Sequence, residues 1–111
     1  MNSASPDGRY TITTSAWEVR MSLWIETPSL ADSATGQVLW TPEDGNWSLD
    51  AALWTGPATL RLTLRKYPGN HTPADVTAEI DCRALTARVG DGPAEPLDTL
   101  DRRLERALRW G

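Results

Sequence analysis

Alternation of apolar and polar residues with a period of two is the feature that most constrains the fold of this chain. In the segment 59–66, leucines at the even positions alternate with threonine and arginine at the odd positions. Successive side chains of a strand point to opposite faces of a sheet, so this pattern predicts a strand with one buried face. The same period at 76–80 and 85–89, with a turn between, predicts a hairpin. Two further short strands are predicted at 10–14 and 37–40.

The longest alternating segment, 17–27, is predicted to be one strand that ends at Pro28, followed by a loop over 29–36. Its predicted core face consists of Trp17, Val19, Met21, Leu23 and Ile25. The opposite face is polar except for Trp24. An outward tryptophan between polar residues is typical of a partner contact or a sugar-stacking platform, and it also fits a side chain covered by the C-terminal helix.

The segment 47–56 carries two conflicting signals. Ser48 is a suitable helix cap, and Gly56 and Pro57 are suitable residues to end a helix. The apolar residues at 47, 49, 51 and 53 alternate as they would in a strand. We favour a helical turn or irregular segment because the cap and the stop residues agree with each other.

From Pro96 onward the period changes to that of an amphipathic helix, predicted at about 96–109. Its apolar face consists of Leu97, Leu100, Leu104, Ala107 and Leu108. Strands followed by one helix predict the α+β class, with about six mostly antiparallel strands in one sheet or in a sandwich. The helix is predicted to cover the sheet, or alternatively to join copies of the chain in a homo-oligomer. Residues 1–9 are predicted to be a disordered leader, and 10–111 a single β-rich domain.

Charge and composition exclude several classes of protein. The chain has 111 residues, and 15 acidic against 11 basic side chains give a formal charge of -4, which argues against nucleic-acid binding. No apolar run is long enough to span a membrane, and 1–9 does not resemble a signal peptide, so we expect a cytoplasmic protein. The near-absence of lysine and the lack of phenylalanine are typical of a GC-rich, bacterial genome.

Few residues could carry chemistry. His71, the only histidine, lies in a segment rich in proline, glycine and asparagine, and is predicted to be an exposed loop residue. Cys82, the only cysteine, continues the inward phase of the strand before it and is predicted to be a buried thiol. No catalytic motif, phosphate-binding glycine loop or metal-ligand spacing occurs. We therefore expect no enzyme activity, no cofactor and no metal.

An acidic, tryptophan-rich interval is the most informative feature that remains. Between Arg20 and Arg61 there is no basic residue, whereas five acids and four tryptophans occur there. This pattern favours a protein-interaction module, an adaptor or an immunity-type inhibitor, that binds a basic partner surface. The candidate contacts are Trp24, Glu26, Glu43, Asp44 and Trp47. The alternative is a carbohydrate-binding module that uses Trp24 or Trp47 as a platform.

Overall fold

A computed structural model describes residues 2–21 and 23–110 as mostly antiparallel β-structure with one short C-terminal helix. The strands in these ranges are β1 (Asn2–Ala4), β2 (Tyr10–Arg20), β3 (Leu23–Asp32), β4 (Val38–Trp40), β5 (Trp47–Trp54), β6 (Thr59–Lys66), β7 (His71–Thr72), β8 (Val76–Asp81), β9 (Thr86–Val89), β10 (Glu95–Pro96) and β11 (Arg109–Trp110). A 3-10 turn, Leu97–Thr99, leads into helix α1, Leu100–Arg106. The predicted α+β class is confirmed.

The strands form three sheets in the described ranges. One has four strands in the order β1-β2-β3-β4, the second has five in the order β10-β9-β8-β6-β5, and the third pairs β11 with β7. All of these strand pairs are antiparallel. Both larger sheets and the C-terminal segment contribute to one hydrophobic cluster, through Ile12 and Leu30, Leu62 and Ile80, and Leu104.

Strand β6 is central to the larger sheet and matches its prediction. It pairs with β5 on one side and β8 on the other, and its three leucines are fully buried. The predicted hairpin of β8 and β9 is also confirmed, with Ile80 opposite Ala87. Leu85, predicted to face inward, is instead half-exposed in the connecting turn, where its φ is 56°.

The segment predicted as one strand over 17–27 is the end of a hairpin. Glu18 lies opposite Trp24 and Trp17 opposite Ile25, and the chain reverses at Met21, whose φ is 47°. Met21 is 92% exposed rather than part of the core. The prediction is wrong because the turn lacks glycine, asparagine and proline, and because apolar residues alternate in phase on both sides of it.

Pro28 does not end its strand, and β3 continues to Asp32 through the predicted loop. Strand β4 joins β3 only at Leu30 and Ala31, so no neighbouring strand on that side requires an N–H from Pro28. The carbonyl of Pro28 accepts a hydrogen bond from the Thr41 hydroxyl at 2.8 Å. The missing donor is therefore tolerated at this position.

Residues 47–54 form strand β5 at the edge of the five-stranded sheet, so the helical turn predicted within 47–56 is wrong. A β-bulge between Leu49 and Ala51 interrupts its alternation. Ser48 pairs with Arg65 in the sheet, and its hydroxyl accepts from the Glu26 backbone N–H instead of capping a helix. Local cap signals are overridden here by pairing with β6.

Residues 2–9, predicted to be a disordered leader, include β1, which is an edge strand of the four-stranded sheet. Strand β1 pairs with β2, and the backbone N–H of Tyr10 donates to the buried Ser5 hydroxyl at 3.0 Å. Asp7 forms an ion pair with Arg83 at 2.9 Å. The turn at 5–8 is closed by a hydrogen bond from the Gly8 backbone N–H to the Ser5 carbonyl oxygen. The composition of this segment alone does not reveal that bond.

The C-terminal helix is shorter than predicted and packs on the chain's own core. The leucines of its apolar face are buried, and α1 contacts β9. Beyond it, β11 pairs with β7. No helix in the described part of the chain is both long and apolar enough to cross a bilayer.

Candidate interaction surface

The six tryptophans divide into groups with different roles. Trp40 and Trp47 are buried in the hydrophobic cluster. Four indole N–H groups donate to acceptors within the chain: Trp17 to Thr27, Trp40 to Asp101, Trp47 to Glu105 and Trp54 to Ser3. The indole N–H of Trp24 has no acceptor among the described residues, and this side chain is 53% exposed.

Trp47 lies in the core, contrary to its prediction as a contact residue. It is 1% exposed, its N–H donates to Glu105 at 3.3 Å, and the Lys66 ammonium lies 5.6 Å from its ring centre. Trp47 is also among the residues that line a groove beside the C-terminal helix, but almost none of its surface is accessible there. The alternation of 47–53, had it been preferred to the cap signals, would have indicated its inward direction.

The end of the β2–β3 hairpin presents four large apolar side chains to solvent. We call them the hairpin-end patch: Trp17, Met21, Leu23 and Trp24. They are between 40% and 92% exposed and lie within eight positions of the sequence. Trp17 lies opposite Ile25 and Trp24 lies opposite Glu18, so the two tryptophans share the end of the hairpin but lie on its two different faces. Large exposed apolar side chains that lie close together are typical of interaction sites. The sequence singled out Trp24 and placed the other three in the core.

Beside this patch lies a cleft of about 370 Å³ between β3 and the turn after β6, which we call the Trp24 cleft. Trp24 and Leu23 form one wall, and Arg65, Tyr67 and Pro68 form the other. Its floor includes Ser48, whose hydroxyl accepts from the Glu26 N–H at 3.0 Å. Glu26 itself is half-buried and does not line the cleft.

A second groove, also of about 370 Å³, runs between the β4–β5 loop and the C-terminal helix. We call it the acidic groove because five carboxylates line it, those of Glu43, Asp44, Asp98, Asp101 and Glu105. The exposed Arg102 also lines it. The sequence prediction included the first two carboxylates and missed Asp98 in the 3-10 turn and Asp101 and Glu105 on α1. Their spacing of three and four residues places them on one helical face, and that signal could have identified them.

Lys66 neutralises part of the acidic groove from beneath. Its ammonium lies 2.8 Å from an Asp44 carboxylate oxygen and also bonds to Glu105. Burial lowers the pKa of Lys66, but its hydrogen bonds to Asp44 and Glu105 outweigh this and raise the pKa above its ordinary value. The hydrogen bond from Lys66 is also the main cause that holds the pKa of Asp44 below its usual range. The amine is therefore a charged structural group rather than a nucleophile.

Within the described ranges, three of the five carboxylates of the acidic groove are held by partners inside the protein. Asp101 accepts from the Trp40 indole N–H at 2.8 Å and from the Glu43 backbone N–H at 3.0 Å. With Asp44 and Glu105 held by Lys66, three carboxylates have internal roles. The side chains of Glu43 and Asp98 have no hydrogen bond or ion pair within the described ranges.

His71 is buried, contrary to its prediction as an exposed loop residue. Its Nδ1 lies 2.7 Å from the Pro73 carbonyl oxygen and its Nε2 lies 2.9 Å from the Lys66 carbonyl oxygen. The ring meets Trp110 edge to face at 5.1 Å. These contacts fix the segment after β6 and give the imidazole a structural role. Proline, glycine and asparagine, which surround His71 in the sequence, are typical of exposed turns, so its burial could not be predicted from them.

Cys82 is buried as predicted. Burial raises the pKa of its thiol to about 12, with smaller contributions from the charges of Asp81 and Asp7. A thiol of this kind is inert near neutral pH. Within 2–21 and 23–110, no group of three or more histidine, cysteine, aspartate or glutamate side chains could hold a metal ion.

Comparisons with protein-family models, with curated proteins and with solved structures give no match. Of the five predicted contacts, Trp24 lines one cleft, and Glu43, Asp44 and the almost fully buried Trp47 line the other. Glu26 is half-buried and lines neither.

Proposed function

We propose that this protein is a protein-interaction module, an adaptor or inhibitor, whose partner contacts the hairpin-end patch with Trp24 as the central anchor. The observation that carries this proposal is the exposure of Trp17, Met21, Leu23 and Trp24 on one end of a hairpin. Exposing these groups to water is unfavourable unless a partner covers them. Tryptophan is also enriched among the residues that dominate binding energy.

The acidic groove supports a partner with a basic surface. The chain carries a formal charge of -4, and the carboxylates of Glu43 and Asp98 have no partner among the described residues. Arg102, which also lines the groove, offsets part of this charge. Complementary charge raises the rate of encounter more than the affinity, and salt screens it. We therefore expect the patch to supply the affinity and the groove to guide association.

Partner capture from a lysate of the source organism tests the role of the patch. The wild-type chain, Trp24→Ala and Leu53→Ala are immobilised at equal density, and retained proteins are identified by mass spectrometry. Leu53 is a matched control because it is 58% exposed but lies on edge strand β5. We expect one near-stoichiometric partner on wild type and on Leu53→Ala, and its loss on Trp24→Ala. Equal capture by all three would show that the patch is not the site.

The groove is tested separately by charge reversal. Glu43→Lys together with Asp98→Lys alters only carboxylates without internal partners, whereas Asp44 would also disturb Lys66. We expect the double variant to slow association with the captured partner and to weaken its salt dependence. Unchanged association kinetics at low salt would remove the groove from the proposal.

A carbohydrate-binding module is the second candidate, and one observation favours it. The exposed Trp24 indole stands beside a cleft that carries hydroxyl and guanidinium donors. A sugar face stacked on this ring would change its emission. Titration with soluble plant and bacterial oligosaccharides tests the idea, and an emission spectrum that stays constant throughout would reject it.

A further inference from the structure

The polar side chains that line the Trp24 cleft are all hydrogen-bond donors. The indole N–H of Trp24 and the hydroxyl of Tyr67 have no partner within the described ranges. The Ser48 hydroxyl already accepts one bond from the Glu26 N–H, so its own hydrogen remains to be donated. Arg65 contributes a guanidinium, which has donors only.

No aspartate, glutamate, asparagine or glutamine side chain lines the described part of this cleft. Its complement is therefore a chain rich in acceptors and poor in donors. A proline-rich segment has this chemistry, because proline keeps its carbonyl oxygen but has no backbone N–H. In the polyproline II conformation there are no internal hydrogen bonds, so the carbonyl groups are free to accept.

The walls of the cleft fit the same occupant. Trp24 and Tyr67 are aromatic, and Leu23 and Pro68 add apolar surface. Aromatic-lined grooves bind polyproline II segments because a stiff, preformed helix loses little entropy on docking. The volume of about 370 Å³ is within the range of ligand pockets.

We infer that the Trp24 cleft binds a proline-rich segment of the partner in the polyproline II conformation. This inference rests on the proposed function as a protein-interaction module. It deepens that proposal by stating the chemistry of the partner at this site.

Two other ligand classes fit the cleft less well. A saccharide carries hydroxyl donors that need acceptors, and the cleft side chains provide none beyond the hydroxyls of Ser48 and Tyr67. An acidic peptide needs an unpaired cation. Arg65 is already paired with Asp50 at 3.4 Å, and the ammonium of Lys66 is held by Asp44 and Glu105.

Fluorescence anisotropy of fluorescein-labelled, amidated decaproline tests the inference on the whole chain. The comparison peptide is a labelled decamer of alternating glycine and serine, and unlabelled cellohexaose is a competitor. The variants are Trp24→Ala, Trp24→Phe and the exposed control Leu53→Ala. Because both positions are exposed, circular dichroism melts should superimpose on those of the wild type.

We expect decaproline to bind with a Kd of about 1 mM or tighter and the glycine-serine peptide not to bind. Trp24→Phe keeps an aromatic ring but loses the indole N–H, and should weaken binding about 2- to 10-fold. Trp24→Ala should weaken binding more than about 10-fold, and Leu53→Ala should leave it unchanged.

Three results would overturn the inference: no decaproline binding at 1 mM, equal binding of the glycine-serine peptide, or binding that Trp24→Ala leaves intact. Displacement of decaproline by cellohexaose would assign the cleft to a sugar instead. If decaproline fails while Trp24→Ala still abolishes partner capture, only the polyproline assignment is wrong. If partner capture also survives Trp24→Ala, the proposed function fails with it.

Discussion

Lys66, the only lysine of the chain, joins three parts of the fold. It extends from β6, and its ammonium binds Asp44 of the β4–β5 loop and Glu105 of α1. We expect Lys66→Met to lower the free energy of unfolding by about 2 kcal/mol. This decrease is smaller than the one expected for a fully buried ion pair, because both carboxylates are partly exposed to water. Urea denaturation measures it. Arg65→Met is the control, since its pair with Asp50 is exposed and should contribute under about 1 kcal/mol.

The ion pair between Lys66 and Asp44 also makes the free energy of unfolding depend on pH. Lys66 holds the folded-state pKa of Asp44 below its ordinary value, so this contribution is present above the unfolded pKa and is lost as pH falls through the folded pKa. We expect the free energy of unfolding to fall more steeply between about pH 5 and pH 2 in wild type than in Lys66→Met. The lowered pKa values of Asp7 and Asp32 are common to both chains. Parallel pH profiles from urea denaturation would contradict the assignment.

Leu85 carries backbone strain at an exposed position. Its φ of 56° is unfavourable for a residue with a Cβ, and its side chain is half-exposed. We expect Leu85→Gly to be more stable than Leu85→Ala by about 1 kcal/mol, because only glycine relieves the strain. Thermal unfolding of the two variants checks this, and a less stable glycine variant would show that the turn is not strained.

Helix α1 and the turn before it carry two acids with different roles. Asp101 accepts hydrogen bonds from the Trp40 indole and the Glu43 backbone, whereas Asp98 has no partner among the described residues. We expect Asp101→Ala to cost about 1–2 kcal/mol of stability and Asp98→Ala less than about 0.5 kcal/mol. Chemical denaturation separates them, and equal losses would mean that the contacts of Asp101 contribute nothing.

Whether an element could be predicted depended on where its neighbours lie. Strand β6 was predictable because strands on both sides enforce alternation over its full length. Edge strand β5 was not, since the bulge at Leu49 and Ala51 breaks its period and its flanking residues imitate helix caps. The β2–β3 hairpin was missed because no glycine, asparagine or proline marks the reversal at Met21. Trp24 was correctly placed facing outward, but the surface around it depends on that hairpin.

Both large sheets and the helix contribute to one hydrophobic cluster. Neither sheet can keep its buried leucines and isoleucines covered without the other, so we expect a single cooperative unfolding transition. Far-UV circular dichroism, which reports the strands, and tryptophan emission, which reports the buried Trp40 and Trp47, should give coincident urea curves. Separated midpoints would show that one sheet persists after the other unfolds.

The burial of Lys66 and Cys82 has a chemical consequence for the folded protein. They are the only lysine and the only cysteine of the chain. The Lys66 side chain is 10% exposed with its amine ion-paired, and the Cys82 thiol is buried. Acetyl transfer, conjugation to a lysine side chain and maleimide coupling all require an accessible neutral amine or a thiolate. The Lys66 amine and the Cys82 thiol are therefore poorly reactive in the native fold. The rate of labelling at either position reports how often the molecule opens.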